Sequence, residues 1–241
     1  MKISLNLASL LFALLCTAVT ASAVPGRAEV KKVAGKATVT NAKNVTSSIT
    51  EGMVLGTGDT ITTGAASYVD LYLGLNGDFL RVDADTTLKI DNLDTANINE
   101  RTVTTQLDVQ QGKILGNVIS KLSAASKYEI KTASGVAGIR GTKFAVYRTP
   151  TTTSIVCTEG TVTFVDRGVV ITIPAGKTYL TPPATNLTGQ ALQAYLNKGV
   201  VQASPQDMNI VNVTVAKIAG VVNMGDAVTF GNTTQNTIST R

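Results

Sequence analysis

An all-β protein with a short helical C-terminal tail is what this sequence predicts, and three observations carry that expectation. Apolar and polar residues alternate along the chain, as from Ser67 to Leu75, where Val69, Leu71 and Leu73 oppose Tyr68, Asp70 and Tyr72. Glycine-containing turns separate such stretches roughly every ten residues, the spacing of a sandwich, barrel or solenoid. The composition is rich in Thr, Val, Ala and Gly, with 15% charged and 5% aromatic residues, which favours strands over disorder.

The 241 residues divide into three parts: 1–23, a signal peptide; 24–183, an all-β domain; and 184–241, a tail. Lys2 supplies a positive start, Leu5 to Val19 an apolar run, and Ala21-Ser22-Ala23 a small-residue cleavage site, together a secretory signal, with an uncleaved membrane anchor as the alternative. Cys16 lies inside the apolar run after Leu14-Leu15, a poor context for lipidation. Removal of this segment leaves no membrane span, because no later apolar run reaches the roughly 18 residues a span needs. Without Lys2 the basic count falls from 21 to 20 against 16 acids, so the mature net charge is +4. That excess suits anionic surfaces or polymers, and in an exported chain it does not point to nucleic acid. Cys157 is then the one cysteine left, in the apolar run Ser154 to Cys157, and is expected to be a buried, inert thiol.

Along the mature chain, Arg27 to Lys43 reads as one or two strands with solvated lysines around Val30, Val33, Ala37 and Val39. Gly58-Asp59 marks a turn, Ile61 a short strand, and Thr63-Gly64 another reversal. Asn76-Gly77 predicts a tight hairpin between Ser67–Leu75 and Phe79–Val82. Thr87 to Ile90 gives a further strand, and the polar segment Asp91 to Thr104 reads as a long loop. Gly112 fits a bend within Leu107 to Leu115. In Lys127 to Val146, Tyr128, Ile130 and Thr132 mark a strand. The glycines Gly135, Gly138 and Gly141 predict a tight reversal, with Thr142 beginning the return strand. Ile155 to Phe164, Val169 to Ile173 and Pro174 to Leu180 complete the β segments.

Composition shifts after Pro182-Pro183. Leu192, Tyr195 and Leu196 have helical spacing, and Gly199 suits a stop. Ser204-Pro205-Gln206-Asp207 has the form of a helix start, and Met208, Val211, Val215, Ile218 and Val222 form one helical stripe. The β-branched residues Val211, Val213, Thr214 and Val215 pull toward strand, but helix is the expectation, with a disordered end beyond it.

Several ordered phrases give a family resemblance: Glu51-Gly52 through Gly58-Asp59 to Ile61-Thr62-Thr63-Gly64, the Phe79-Leu80-Arg81-Val82 return, Leu107 to Leu115, the Lys127–Val146 stretch, Glu159-Gly160 and Ala175-Gly176. Together, over roughly Val30 to Pro182, they resemble the FecR domain family, extracytoplasmic all-β modules named after a bacterial regulator of iron-uptake genes. The resemblance implies a β-solenoid-like or twisted β-sandwich module and a place in the envelope, periplasmic or extracellular. Some membrane-bound relatives cleave themselves at a Gly-Thr bond, and Gly141-Thr142 supplies those residue types. The classical regulators carry an anti-sigma segment and a membrane span ahead of the module. Here the signal peptide precedes it directly and no receptor-docking domain is recognisable after it, so a sigma-factor role does not simply carry over.

The chain has no histidine, which excludes Ser-His-Asp triads, Cys-His nucleophiles and imidazole metal sites, and no cofactor is expected. Asp83 and Asp85, two apart, form the one conceivable calcium cluster, against the simpler reading of a solvated turn. Arg140, Lys143, Arg148, Lys127 and Lys131 are cations that can meet an acidic partner or simply form a wet sheet face. Tyr68 and Tyr72 can stack on sugars or pack across strands. The expectation is a non-enzymatic, exported sensory or interaction module. It would bind an envelope protein or anionic polymer through strand edges and the loops Gly74–Gly77 and Asp91–Thr104. The alternatives are a surface component assembling as a homo-oligomer through its tail, and a self-cleaving signalling protein.

Overall fold

The computed structural model describes residues 24–97, 102–118 and 122–221. The signal-peptide segment and the final polar stretch lie outside them. Two short strands and a longer one open the described chain, β1 (Val24–Pro25), β2 (Ala28–Ala34) and β3 (Ala37–Thr40). Then follow β4 (Thr46–Ser48), β5 (Val54–Leu55), β6 (Thr60–Thr63), β7 (Tyr68–Tyr72) and β8 (Phe79–Val82). The long strands are β9 (Thr87–Asn97), β10 (Thr102–Asn117), β12 (Gly135–Arg148) and β13 (Thr153–Asp166), with β11 (Lys127–Thr132) between β10 and β12. The chain closes with β14 (Val169–Pro174), β15 (Lys177–Leu180), helix α1 (Gly189–Asn197), β16 (Val200–Gln202) and helix α2 (Pro205–Val221).

These sixteen strands form one open mixed sheet whose main path runs β16-β15-β13-β12-β11-β10-β8-β7-β2-β5. Neighbours are antiparallel except β10 and β11, which run parallel with Leu107 opposite Ile130. The all-β fold class is as expected. The strands stay in one open sheet and do not close into a barrel, and inward residues from the long strands share one core. On β12, Ala137 and Ile139 face inward and, further along, Phe144 and Val146, so the inward parity changes within the strand. The change falls at a bulge where the register with β13 shifts between Arg140 and Phe144. Ile61, Leu71, Leu80, Ile90, Leu107, Ile130, Phe144, Phe164 and Tyr179 are all buried in the shared core. Cys157 is there too, fully buried, and burial raises its thiol pKa, as expected of an inert thiol.

Three sequence expectations are corrected. The reversal after β11 is made by Ala133-Ser134, before the glycines, which instead lie within β12, and Thr142 sits mid-strand. Glycine is permissive in strands at bulges as well as in turns, so its presence did not discriminate the two. Asn76-Gly77 does not make a two-residue hairpin: β7 and β8 pair at Tyr72–Phe79 and are joined through a 3-10 turn over Gly74–Asn76. Asn76 is turned inward, its Nδ2 donating to the carbonyls of Asp94 (2.9 Å) and Thr104 (3.2 Å), and tertiary hydrogen bonds override the local turn signal. The predicted loop Asp91–Thr104 is mostly strand, with β9 reaching Asn97 and β10 starting at Thr102. Its polar residues alternate with buried Leu93, Thr95 and Val103.

Both predicted helices form. Ser204 caps α2, its Oγ accepting the Asp207 amide at 3.0 Å, and Val211, Val215 and Ile218 of the predicted stripe are buried. They pack on Leu115, Ala145, Val156 and Phe79, on the outward face of one half of the sheet. The tail also contains a strand that was not expected, β16, which extends the sheet beside β15. Low β16 length explains the miss, since three residues carry no legible period.

A buried polar knot positions the β13–β14 hairpin. Asp166, 1% exposed, accepts a 2.5 Å hydrogen bond from the Tyr179 hydroxyl and another of 2.9 Å from Arg167 Nε. Arg167 Nη1 and Nη2 also donate to the carbonyls of Pro183 and Pro182, which ties the path toward α1 to the hairpin turn.

Candidate functional site: the outward face of β11 to β14

The half of the sheet not covered by α2 presents a four-strand face whose side chains are set by register. Lys131, Val136, Val165 and Val170 stand opposite one another in one row. Glu129, Gly138, Thr163 and Thr172 form the next, two residues along. Arg140, Thr161 and Pro174 form the third, and Lys127, two residues before Glu129, joins it from β11. Gly138 has no side chain in the middle of this face, and a groove of about 280 Å³ opens over it between Lys127, Glu129, Arg140, Thr161 and Thr163.

Ion pairing sorts the five cations predicted from sequence. Lys131 Nζ lies 2.9 Å from Asp91 Oδ2, and Lys89 holds the other oxygen at 2.9 Å. Burial works against the Asp91 charge, but the hydrogen bonds and charges of Lys131 and Lys89 outweigh it and hold that carboxyl below its ordinary range. Lys143 pairs with Glu159 at 2.5 Å beyond the bulge. Arg148 lies at the far end of β12, its Nε buried without a hydrogen-bond partner. Lys127 and Arg140 remain: both are exposed on the groove, and neither has an ion pair among the described residues. Like charges side by side across strands repel, and an anion bound between them would relieve that repulsion.

The other candidates are placed elsewhere. Asp83 pairs with Lys113 Nζ and its carbonyl accepts Thr63 Oγ1, while Asp85 is an exposed turn residue at φ 51°. Among the described residues no three Asp, Glu or Cys side chains group as metal ligands. Tyr68 lies under the Arg81 guanidinium, 4.0 Å from its ring centroid, and Tyr72 packs on Phe79 at 5.6 Å and beneath α2. Gly141 takes φ 60° in the bulge, and Thr142 is 1% exposed with its Oγ1 buried and without a partner. The Gly74–Gly77 connection holds the core through buried Asn76 and leaves only Leu75 substantially exposed. Thr161, Thr163, Val165 and Val170 were not singled out from sequence. The available signal was the outward parity of two exposed valines, 39% and 57%, among outward threonines and Pro174.

The family model for FecR protein matches residues 59–163, which include β6 to β12, the bulge and the strand β13 up to Thr163. Residues 59–163 are therefore a FecR domain. The FecR domain thus holds Lys127, Gly138, Arg140, Thr161 and Thr163, whereas Val165, Val170 and α2 lie beyond the matched residues. No curated protein matches the chain. Two crystal structures of a candidate anti-sigma factor from Parabacteroides distasonis resemble it at 13% identity, with TM-scores of 0.42 and 0.41. Each comparison covers 57% of this chain, and 63% and 64% of the other, so this chain spans less than two thirds of their length.

Proposed function

We propose that this protein is an exported, non-enzymatic interaction module of the cell envelope. It acts in signalling by holding an anionic group of a partner between Lys127 and Arg140. The observation that carries this reading is the cation pair itself, two exposed side chains on adjacent strands at a groove floored by glycine, neither in an ion pair among the described residues, while Glu129 of the same groove is engaged by Gln106 Nε2. The FecR domain supports the signalling role, and export rests on the sequence of residues 1–23. Retention of the mature chain on immobilised polyglutamate and polygalacturonate tests it. The double variant Lys127→Glu/Arg140→Glu should lose about tenfold in affinity, and the loss should shrink as salt screens the charges. Equal retention of wild type and variant at low salt would refute the reading. Both side chains are exposed, so the variant should unfold at the wild-type urea midpoint.

The same reading makes the Gly141–Thr142 bond stable. Among the described residues Thr142 Oγ1 has no hydrogen-bond partner to take its proton, and its methyl lies toward Gly160. Thr142→Val keeps that shape and removes an unsatisfied buried hydroxyl, so it should stabilise the chain by about 1 kcal/mol. The intact mass should stay constant through prolonged incubation in both forms. A wild-type chain that splits at this bond while Thr142→Val does not would favour the self-cleaving alternative.

A further inference from the structure

We infer that the bare face of β11 to β14 is a docking surface for an extended peptide segment that carries an acidic residue at one end and aliphatic residues at the other. This deepens the anion-binding reading of the same groove and rests on it. The two outward faces of the sheet are treated differently by the chain. One is covered by α2, whose Val211, Val215 and Ile218 close over Leu115, Ala145, Val156 and Phe79. The other is not covered by α2; α1 lies against β14, where Gln193 Nε2 donates to the Val170 carbonyl at 3.4 Å, and the side chains of Val165 and Val170 stay exposed, opposite one another across strands, with Val136 beside them.

The chemistry along that face is graded. At one end stand the three valines beside Lys131, which Asp91 pairs; in the middle, Gly138 with Thr163 and Thr172 and, on β11, Glu129, whose carboxylate accepts Gln106 Nε2 at 2.8 Å; at the other end, Lys127 and Arg140 with Thr161. From the valine row to the cation row is four residues along each strand, about 13 Å. An occupant must therefore present a carboxylate and an apolar group about that far apart, with a slim portion between them to lie in the trough over Gly138. A polypeptide in extended form meets this with an acid and an aliphatic side chain four residues apart. A uronate or other anionic polysaccharide supplies the charge, but it has nothing to bury against valines, and the face presents no aromatic ring for a sugar to stack on. The valine pair gives the second half of the recognition by removing apolar surface from water.

A phage-displayed library of random twelve-residue peptides, selected on the immobilised mature chain, reads this directly. Enriched peptides should combine Asp or Glu with Val, Leu or Ile at a spacing of about four residues. As synthetic peptides they should bind about tenfold more weakly to Val165→Thr/Val170→Thr and again to Lys127→Glu/Arg140→Glu. All four substitutions are of exposed side chains, and an unchanged urea midpoint confirms that each variant is folded. Peptides that carry acids alone and ignore the valine substitutions would overturn this inference and leave the anion reading standing, as would no enrichment alongside retention on polyglutamate that still depends on Arg140. Peptides indifferent to both double variants would overturn the two together.

Discussion

Arg81→Leu should lower the stability of the folded chain by about 3–5 kcal/mol, the largest loss expected of any single side-chain change here. Asp70 is fully buried, and Arg81 meets it with two hydrogen bonds, Nε to Oδ1 at 2.6 Å and Nη2 to Oδ2 at 2.7 Å. The guanidinium is sandwiched from the other side by the Tyr68 ring. Removing the arginine strands a carboxylate in a place water does not reach, and that desolvation penalty dominates the loss of the pair's own attraction. Asp70→Leu/Arg81→Leu removes both charges, and most of the single-variant loss should then be recovered. Urea unfolding checks this, with the midpoint falling for Arg81→Leu and the slope unchanged. A loss below 1 kcal/mol would show that the carboxylate finds water or another cation in the folded state.

Gly160→Ala should cost about 3 kcal/mol or more, whereas Gly141→Ala should cost about 1–2 kcal/mol, although the two glycines sit against each other in the same bulge. Both have left-handed backbone, φ 79° at Gly160 and φ 60° at Gly141, so any L side chain is strained at either. They differ in what a Cβ would meet. At Gly160 it would fall 2.2 Å from the Gly141 carbonyl oxygen and 2.8 Å from Thr142 Cγ2, whereas at Gly141 nothing lies within 4 Å. Backbone cannot yield as a side-chain tip can, so at Gly160 the bulge itself must shift. Arg140 and Thr161 flank that bulge and border the groove, so Gly160→Ala should also weaken anion retention in the fraction that remains folded. Thermal unfolding of the two variants side by side measures the difference. Equal losses would mean that the bulge is free to relax.

Much of the fold was legible because it depends on local pattern. The alternation through Val69, Leu71 and Leu73 marked the side chains that enter the core, although it gave no sign that Asp70 on the opposite face is buried too, and the Ser204 cap with the Val211, Val215, Ile218 stripe marked α2 despite its β-branched residues. Where tertiary contacts outbid local signals, the reading missed. Asn76-Gly77 has the composition of a two-residue turn, yet Asn76 is drawn into the interior by carbonyls of Asp94 and Thr104, 18 and 28 residues away. The polar run after Asp91 reads as a loop until its partner strand β10 is in place to pair with it.

The sequence by itself determined the β class, the two tail helices, the absence of imidazole chemistry and a pool of cations on and around one strand pair. Only the tertiary structure decided which of those cations are free. Lys131 is neutralised by Asp91, 40 residues away in sequence, and Lys143 by Glu159, while Lys127 and Arg140 are left together at the groove. Charge neutralisation and side-chain rows across a sheet depend on strand register, and register between distant strands is set by packing of the whole core, a property that no short window of sequence contains.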